Sequence, residues 1–157
     1  MRRRVIDSPI GRITLLAEDN SITGLYFGEA YKDVQLKDND AVLDQCEKEL
    51  TAYFAGELQK FTVPVRAIGT PFRMQVWEVL SRIPYGETVS YRDIAIGIGN
   101  PKSVRAVGGA NHNNPISIII PCHRVIGANG SLTGYGGGLD AKKWLLELEV
   151  KHRDEEL

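Results

Sequence analysis

In the first 28 positions apolar residues come in short runs separated by turn formers, a pattern that predicts strands. One strand over Val5–Gly11 runs into the Pro9–Gly11 turn, and a second covers Arg12–Glu18. Asp19-Asn20 turn the chain again, and Ile22–Phe27 is a third strand. Residues 29–39 are polar and loop-like. From Asp40 to Ala55 the period changes, with Val42, Leu43, Cys46, Leu50, Tyr53 and Phe54 recurring at helical spacing and Gly56 supplying the stop. Phe61–Val65 reads as a last strand, and residues 65–70 as a linker.

The second half opens with helical spacing. Pro71–Arg82 places Phe72, Val76, Val79 and Leu80 on one face and stops at Ile83-Pro84-Tyr85-Gly86. Thr88 or Ser90 can cap a short helix through Ile96. Gly97–Asn100 forms a turn, Pro101 sits where a helix would begin, and Ser103–Ala110 is the next helix. Two short helices joined by a Gly-containing turn fit a helix-turn-helix. Ile116–Ile120 is an apolar, β-branched run that predicts a buried strand. Arg124–Ile126 and Ser131–Thr133 flank an Asn129-Gly130 turn, as in a hairpin or wing. A last helix covers Asp140–Lys151.

Composition narrows the class without naming it. The 157 residues are 43% apolar and 25% charged, as in an ordinary globular protein, and no apolar run reaches the ~18 to 20 residues of a membrane span. Arg2-Arg3-Arg4 are not followed by the apolar stretch of a secretory signal. The net charge of −1 means that any nucleic-acid contact must come from local clustering of charge. Two cysteines, Cys46 and Cys122, are too few for a disulfide framework and lack the spacing of a zinc site. A reducing compartment follows, in which a thiol is free to do chemistry.

Cys122 is the candidate thiol. Taken alone, a Cys beside a His is more often a small buried hydrophobe than a nucleophile. Here the apolar run leads to Pro121, which stops strand pairing, and His123 and Arg124 stand next to the thiol. A neighbouring imidazole and nearby cations favour the thiolate, which is the nucleophilic form. Cys46 lies among Leu43, Leu50 and Tyr53 on an amphipathic helix with no nearby His, and reads as core.

The sequence resembles the O6-alkylguanine-DNA alkyltransferases, the methylated-DNA–protein-cysteine methyltransferase family. The resemblance is carried by Pro84-Tyr85-Gly86-Glu87-Thr88-Val89-Ser90-Tyr91, Arg105-Ala106-Val107-Gly108-Gly109-Ala110 and Asn114-Pro115. It continues through Ile120-Pro121-Cys122-His123-Arg124-Val125, Gly134-Tyr135-Gly136-Gly137-Gly138 and Lys143-Trp144-Leu145-Leu146-Glu147-Leu148-Glu149. These pieces fall in order over residues 71–150, and residues 1–68 match more loosely. The resemblance implies a ribonuclease H-like α/β domain over residues 1–68, an antiparallel sheet plus a helix. It implies a mostly helical, winged-helix-like domain with the helix-turn-helix over residues 69–157.

It also implies roles. Cys122 matches the acceptor that attacks the alkyl carbon on guanine O6 in line and keeps the alkyl group as a thioether, once per molecule. His123 matches the base that acts on the thiol through a water, Glu149 the acid that orients it, and Asn114 the brace of the active-site turn. The target base must leave the duplex stack. Arg105 matches the finger that fills the vacated space, and Tyr91 the residue that crowds the target phosphate. The family lays this helix in the minor groove, where Ala106, Gly108, Gly109 and Ala110 permit close approach; tight helix packing is the other account of these small residues. Thr88, Ser90, Arg92, Lys102 and Ser103 would contact phosphates. Tyr135 matches the wall packed on the flipped guanine, Gly136, Gly137 and Gly138 the rim of the alkyl pocket, and carbonyls near Cys122 and Val125 the readers of the guanine amino group.

There are departures. Asn111 stands where mammalian members have methionine, and Gly136 where some have serine. The Cys/His set that binds zinc in the human enzyme is missing, so no metal or other cofactor is expected. The expected partner is double-stranded DNA carrying O6-alkylguanine, with O4-alkylthymine open as a second substrate and no membrane contact. The expected protein is a monomer, with cooperative binding on DNA open, in the cytoplasm and at the nucleoid if the source is prokaryotic. Two other readings compete. A helix-turn-helix regulator with a sensing domain in residues 1–68 leaves Cys122, His123 and Glu149 unexplained. A cysteine hydrolase has only His112 and His152 as distant bases.

Overall fold

In the computed structural model, which describes residues 1–155, strands β1 (Arg2–Ile6), β2 (Ile13–Glu18) and β3 (Ser21–Phe27) form an antiparallel meander. The last two residues of the expected C-terminal domain lie outside the described residues. Glu18 pairs with Ser21, so Asp19-Asn20 are the whole β2–β3 loop, with Asp19 at φ 53° as such tight hairpins require. β1 begins at Arg2 and ends before the Ser8–Gly11 turn, where Val5–Gly11 was predicted. The arginine run extends the strand because each side chain is paired: Arg2 with Asp40, Arg3 with the Val34 carbonyl and Arg4 with Asp44.

Helix α1 (Ala41–Phe54) packs across β2 and β3, capped by the Asp40 carboxylate, which accepts from Leu43 N at 3.1 Å. Its buried face is Val42, Leu43, Cys46, Leu50 and Tyr53. The predicted strand at Phe61–Val65 does not form. The amides of Thr62 and Val63 donate to the Glu49 carboxylate at 2.7 and 3.1 Å, and Pro64 has no N–H to give. Only residues 64–66 bridge to Ile22 of β3.

Helix α2 (Pro71–Leu80) starts on a Thr70 cap with Pro71 at its first turn, and its Trp77 indole N–H donates to the Ala110 carbonyl at 2.9 Å. Short strand β4 (Val89–Ser90) leads into α3 (Tyr91–Gly97). Ser90, not Thr88, is the cap, in a reciprocal capping box with Asp93. Pro101 stands in the turn before α4 (Val104–His112), which begins three residues later than it. The α3–α4 pair is the helix-turn-helix, packed on α2.

The predicted strand at Ile116–Ile120 is a tight loop, with Ile118 at φ 72° and Ser117 bridged to Ile120. Ile116, Ile118 and Ile120 are buried at alternate positions, with Ser117 and Ile119 half-buried, so a strand-like burial pattern is met by a turn. A one-turn 3-10 helix (Cys122–Arg124) follows, then β5 (Val125–Ile126), which pairs in parallel with β4. No strand forms at Ser131–Thr133. Ser131 is held by the Asn129 side chain and a Gly127 amide, and the Thr133 oxygens face Lys142. The wing is therefore a β4–β5 contact plus a loop. Helix α5 (Leu139–His152) closes the chain. One continuous apolar core joins both halves, running from Leu25 and Leu50 through Trp77 and Leu80 to Ile116, Ile118 and Leu145. Leu25 N of β3 donates to the Pro115 carbonyl at 2.9 Å, so the edge of the sheet abuts the loop that precedes Cys122.

Candidate active site

The loop before Cys122 is braced by the Asn114 side-chain amide. Asn114 Nδ2 donates to the Ile120 carbonyl at 2.8 Å while its Oδ1 accepts from Ile116 N at 3.0 Å. This pair of hydrogen bonds ties together a seven-residue loop whose β-branched Ile118 is in the left-handed region, a strained state that surrounding contacts must enforce. The Cys122 side chain emerges from this rigid turn at 4% exposure. Burial pushes its thiol pKa up, opposed by the Asn114 and Ser117 side chains and by the positive charge of Lys142.

His123 and Glu149 meet behind the thiol. His123 is fully buried, and its Nε2 lies 2.7 Å from Glu149 Oε2. Arg124 clamps the same carboxylate from Nε to Oε1 at 2.8 Å and from Nη2 to Oε2 at 3.0 Å, and its Nη1 donates to the Ile83 carbonyl. Gly86 N donates to Oε1 at 3.2 Å, and the Tyr53 hydroxyl to Oε2 at 2.5 Å. Burial alone would raise the Glu149 pKa, but His123 and Arg124 outweigh it and hold the carboxyl ionised, well below the usual range. The His123 proton therefore belongs on Nε2, facing a carboxylate that can only accept. Nδ1 keeps its lone pair and meets no hydrogen-bonding group among the described residues. Burial, partly offset by Glu149, lowers the His123 pKa, so the ring is a neutral base.

A cavity of about 440 Å³ opens over Cys122, with Tyr26, Phe27, Asn111, Asn114, Ser117 and Tyr135 in its walls. The Tyr135 ring packs edge-on to Phe27 at 5.3 Å, and its buried hydroxyl has no partner among the described residues. The site thus joins a buried thiol, a neutral imidazole oriented by an ionised carboxylate, and a cavity of about 440 Å³ over the thiol. Such a set can deprotonate the thiol and carry it to an electrophilic carbon. Among the described residues, no group of three or more His, Cys, Asp or Glu is placed to hold a metal ion.

Two family models cover nearly all of the chain: 6-O-methylguanine DNA methyltransferase, ribonuclease-like domain, over residues 1–67, and its DNA binding domain over residues 71–151. The chain belongs to the 6-O-methylguanine DNA methyltransferase family. It is similar to the methylated-DNA–protein-cysteine methyltransferase of Methanosarcina acetivorans, with 49% identity over 149 residues, 92% of this chain and 96% of the relative. The Mycobacterium tuberculosis protein of the same name is 50% identical over 93% of this chain and 90% of its own length. A crystal structure of M. tuberculosis OGT in complex with DNA superposes with a TM-score of 0.89 at 49% identity, covering 97% of this chain and 94% of that one. The fold is the family's: a ribonuclease-like unit built on the antiparallel sheet, and a helical DNA-binding unit.

With the family in hand, the remaining predicted residues can be located. Arg105 is exposed on α4, as are Arg92 on α3 and Lys102 in the turn between them. Thr88 is exposed, whereas the Ser90 hydroxyl is engaged in the α3 cap, and Ser103 Oγ donates to the Asn100 carbonyl. A Cβ added at Gly108 or Gly109 would meet nothing within 4 Å, so these glycines do not serve tight packing inside the molecule. A Cβ at Gly137 would press on the Phe27 ring at 3.0 Å, and Gly136 lines the cavity. Tyr91 is half-buried, with its hydroxyl 2.5 Å from Thr133 Oγ1. The Val125 carbonyl already accepts from Lys142 Nζ at 2.7 Å.

Sequence reasoning missed Tyr53, the Gly86 amide and Lys142 as parts of this site, and it set Arg124 beside the thiol where the structure turns its guanidinium onto Glu149. Lys142 is fully buried, and burial lowers its pKa while the Cys122 charge opposes the shift. The signal was present: Lys142, Leu145 and Glu149 are spaced i, i+3 and i+7 on α5, so they share its inward face.

Proposed function

We propose that the protein repairs duplex DNA by moving the alkyl group of O6-alkylguanine onto Cys122, once per molecule. The observation that carries this is a buried thiol at the floor of a 440 Å³ cavity, braced by Asn114, with a neutral His123 tied to an ionised Glu149 behind it. His123 Nδ1 takes the thiol proton through a bridging water, since neighbouring side chains of a chain turn need not touch. The thiolate Sγ attacks the alkyl carbon from the side opposite O6. The S–C bond forms as the C–O6 bond breaks, the electron pair goes to the guanine, and a proton returns from the site. The thioether is stable and nothing in the site reverses it, so the protein is consumed. O4-alkylthymine presents the same alkyl–oxygen bond and is a second substrate in this reading.

An alkyl carbon inside a duplex cannot reach a buried sulfur, so the base must be flipped out. In this reading α4 enters the minor groove with Arg105 replacing the base in the stack. Tyr91 rotates the phosphate, and Thr88, Ser90, Arg92, Lys102 and Ser103 hold the backbone. The open space over Gly108 and Gly109 supports this, because a groove wall can then approach the helix backbone. Tyr135 stacks on the flipped base, and the Val125 carbonyl reads it with its second lone pair, Gly136 and Gly137 forming the rim. In this reading residues 1–68 form one domain and 69–157 the DNA-binding and acceptor domain of a protein that acts as a monomer. In this reading its place is with the DNA, in the cytoplasm, and at the nucleoid if the source is prokaryotic.

The test is stoichiometry. Duplex DNA carrying O6-[methyl-³H]guanine is added in excess and label on the protein is followed to its plateau. The expected plateau is one methyl per chain, and Arg105→Ala should lower the rate through weaker flipping. Continued release of methyl beyond one per chain, with active protein remaining, refutes single use.

A further inference from the structure

The Glu149 carboxylate is reached from the other half of the chain. Tyr53, in the last turn of α1, is fully buried and donates its hydroxyl to Glu149 Oε2. The same oxygen accepts from His123 Nε2 at 2.7 Å and Arg124 Nη2 at 3.0 Å, so three donors share one atom's electron density. The Tyr53 ring is fixed by Phe54, Phe61 and Tyr85, with centroids 5.6, 5.3 and 6.1 Å away, which leaves its hydroxyl a single aim. We propose that Tyr53 is a positioning residue for alkyl transfer: its hydroxyl fixes Glu149 and limits how strongly that carboxylate draws on His123. The ribonuclease-like unit thereby sets the basicity of the site in the DNA-binding unit.

The physical argument is competition. Each donor on a carboxylate oxygen draws off charge that would otherwise strengthen its bond to the imidazole N–H. Burial, followed by the Glu149 charge, pushes the Tyr53 hydroxyl far above its usual range, so it stays a donor at every working pH. The other groups around the pair are Arg124 from the 3-10 turn, Lys142 from α5, Tyr85 before β4, Tyr135 from the cavity wall and Cys122. All of them remain when only the Tyr53 hydroxyl is removed. A tyrosine present merely to fill space would be replaced by phenylalanine without consequence for His123.

Tyr53→Phe is the test, and the proposal rests on His123 being the base toward Cys122. Two readouts keep the two ideas separable. The first is the ring ¹⁵N NMR titration of His123 without DNA. The second is the pH profile of transfer from an O6-methylguanine duplex. In Tyr53→Phe the His123 midpoint should rise by on the order of half a pH unit, the size expected for one modest hydrogen bond. The acid limb of transfer should move up in pH by the same amount. Val42→Ala, a core change in the same helix, should lower the melting temperature and leave the midpoint in place. An unmoved midpoint in Tyr53→Phe overturns the proposal, and so does an equal shift in Val42→Ala. A raised midpoint with an unmoved transfer profile overturns the link to the reaction. Absence of transfer from the unaltered protein overturns the reading of the site instead, and is recognised because the titration needs no DNA.

Discussion

Cys46 and Cys122 are both buried and both resist ionisation, yet only one sits in a site. Burial lifts the Cys46 thiol to about 12, with Glu49 and Glu47 adding to the effect and Arg4 opposing it. Cys122 suffers the same desolvation, but Asn114, Ser117 and Lys142 all act to favour its thiolate. Cys46 is enclosed by apolar neighbours between α1 and the sheet, while Cys122 floors a cavity. Burial therefore does not distinguish a structural thiol from a reactive one. Polar partners and access do.

The largest effect that can break this comparison is removal of each sulfur. Cys122→Ser should reduce methyl transfer to background while the fold persists. Cys46→Ser should keep transfer and lower stability by about 1 to 3 kcal/mol, because its hydroxyl would be buried without a partner. Transfer lost in Cys46→Ser with its melting curve intact would collapse the distinction between the two thiols.

Next comes the charge cluster that only Cys122 has. Glu149→Gln leaves Arg124 buried without its counter-charge and should cost about 3 to 5 kcal/mol by urea unfolding. It should also change the response to acid. The folded Glu149 pKa lies below its ordinary value of 4.5, so its contribution is full above that value and is lost as pH falls through the folded pKa. His123, lowered from 6.5, acts in the same direction, with stability declining as pH falls below the unfolded value. Stability of the parent should therefore fall on acidification, beginning near pH 6.5 and steepening below 4.5, and Glu149→Gln should lack the lower part of that decline.

A smaller effect sharpens the account of access and rigidity. Asn114→Ala strands the buried Ile116 amide and leaves the Ile120 carbonyl with only the Cys122 N–H, an expected loss of about 1 to 3 kcal/mol. It also removes a donor from the thiol, so iodoacetamide labelling of Cys122 should shift to higher pH. Smallest for the fold is Gly109→Ala. Its Cβ meets open space, and helix propensity should add up to about 1 kcal/mol. DNA affinity should nonetheless fall in a titration with labelled duplex, if the α4 backbone is what approaches the groove.

Local pattern made α1, α2, α5 and the β2–β3 hairpin legible. The helices bury residues at helical spacing, the first two behind the Asp40 and Thr70 caps, and the Asp19-Asn20 turn separates two apolar runs, although β2 is buried on both faces. The same rule failed at Ile116–Ile120, where Ile116, Ile118 and Ile120 are buried at alternate positions but in a loop braced by Asn114, and at Phe61–Val65, where the Thr62 and Val63 amides go to Glu49. The parallel β4–β5 pair joins Val89 to Val125, a distance along the chain that no local pattern encodes. In the site, the motif residues His123 and Glu149 do meet, 26 positions apart. Tyr53 was read as a core position on α1, which is correct for its ring; the aim of its hydroxyl toward Glu149 is decided by how the two halves pack.

The most direct measurement is the mass of the peptide containing Cys122 after one exposure to duplex DNA bearing O6-methylguanine. The expected result is a gain of one methylene on Cys122, an unmodified Cys46 peptide, and guanine restored in the DNA. An unmodified Cys122 in protein that has demethylated the DNA, or a methyl group on any other residue, would contradict the account.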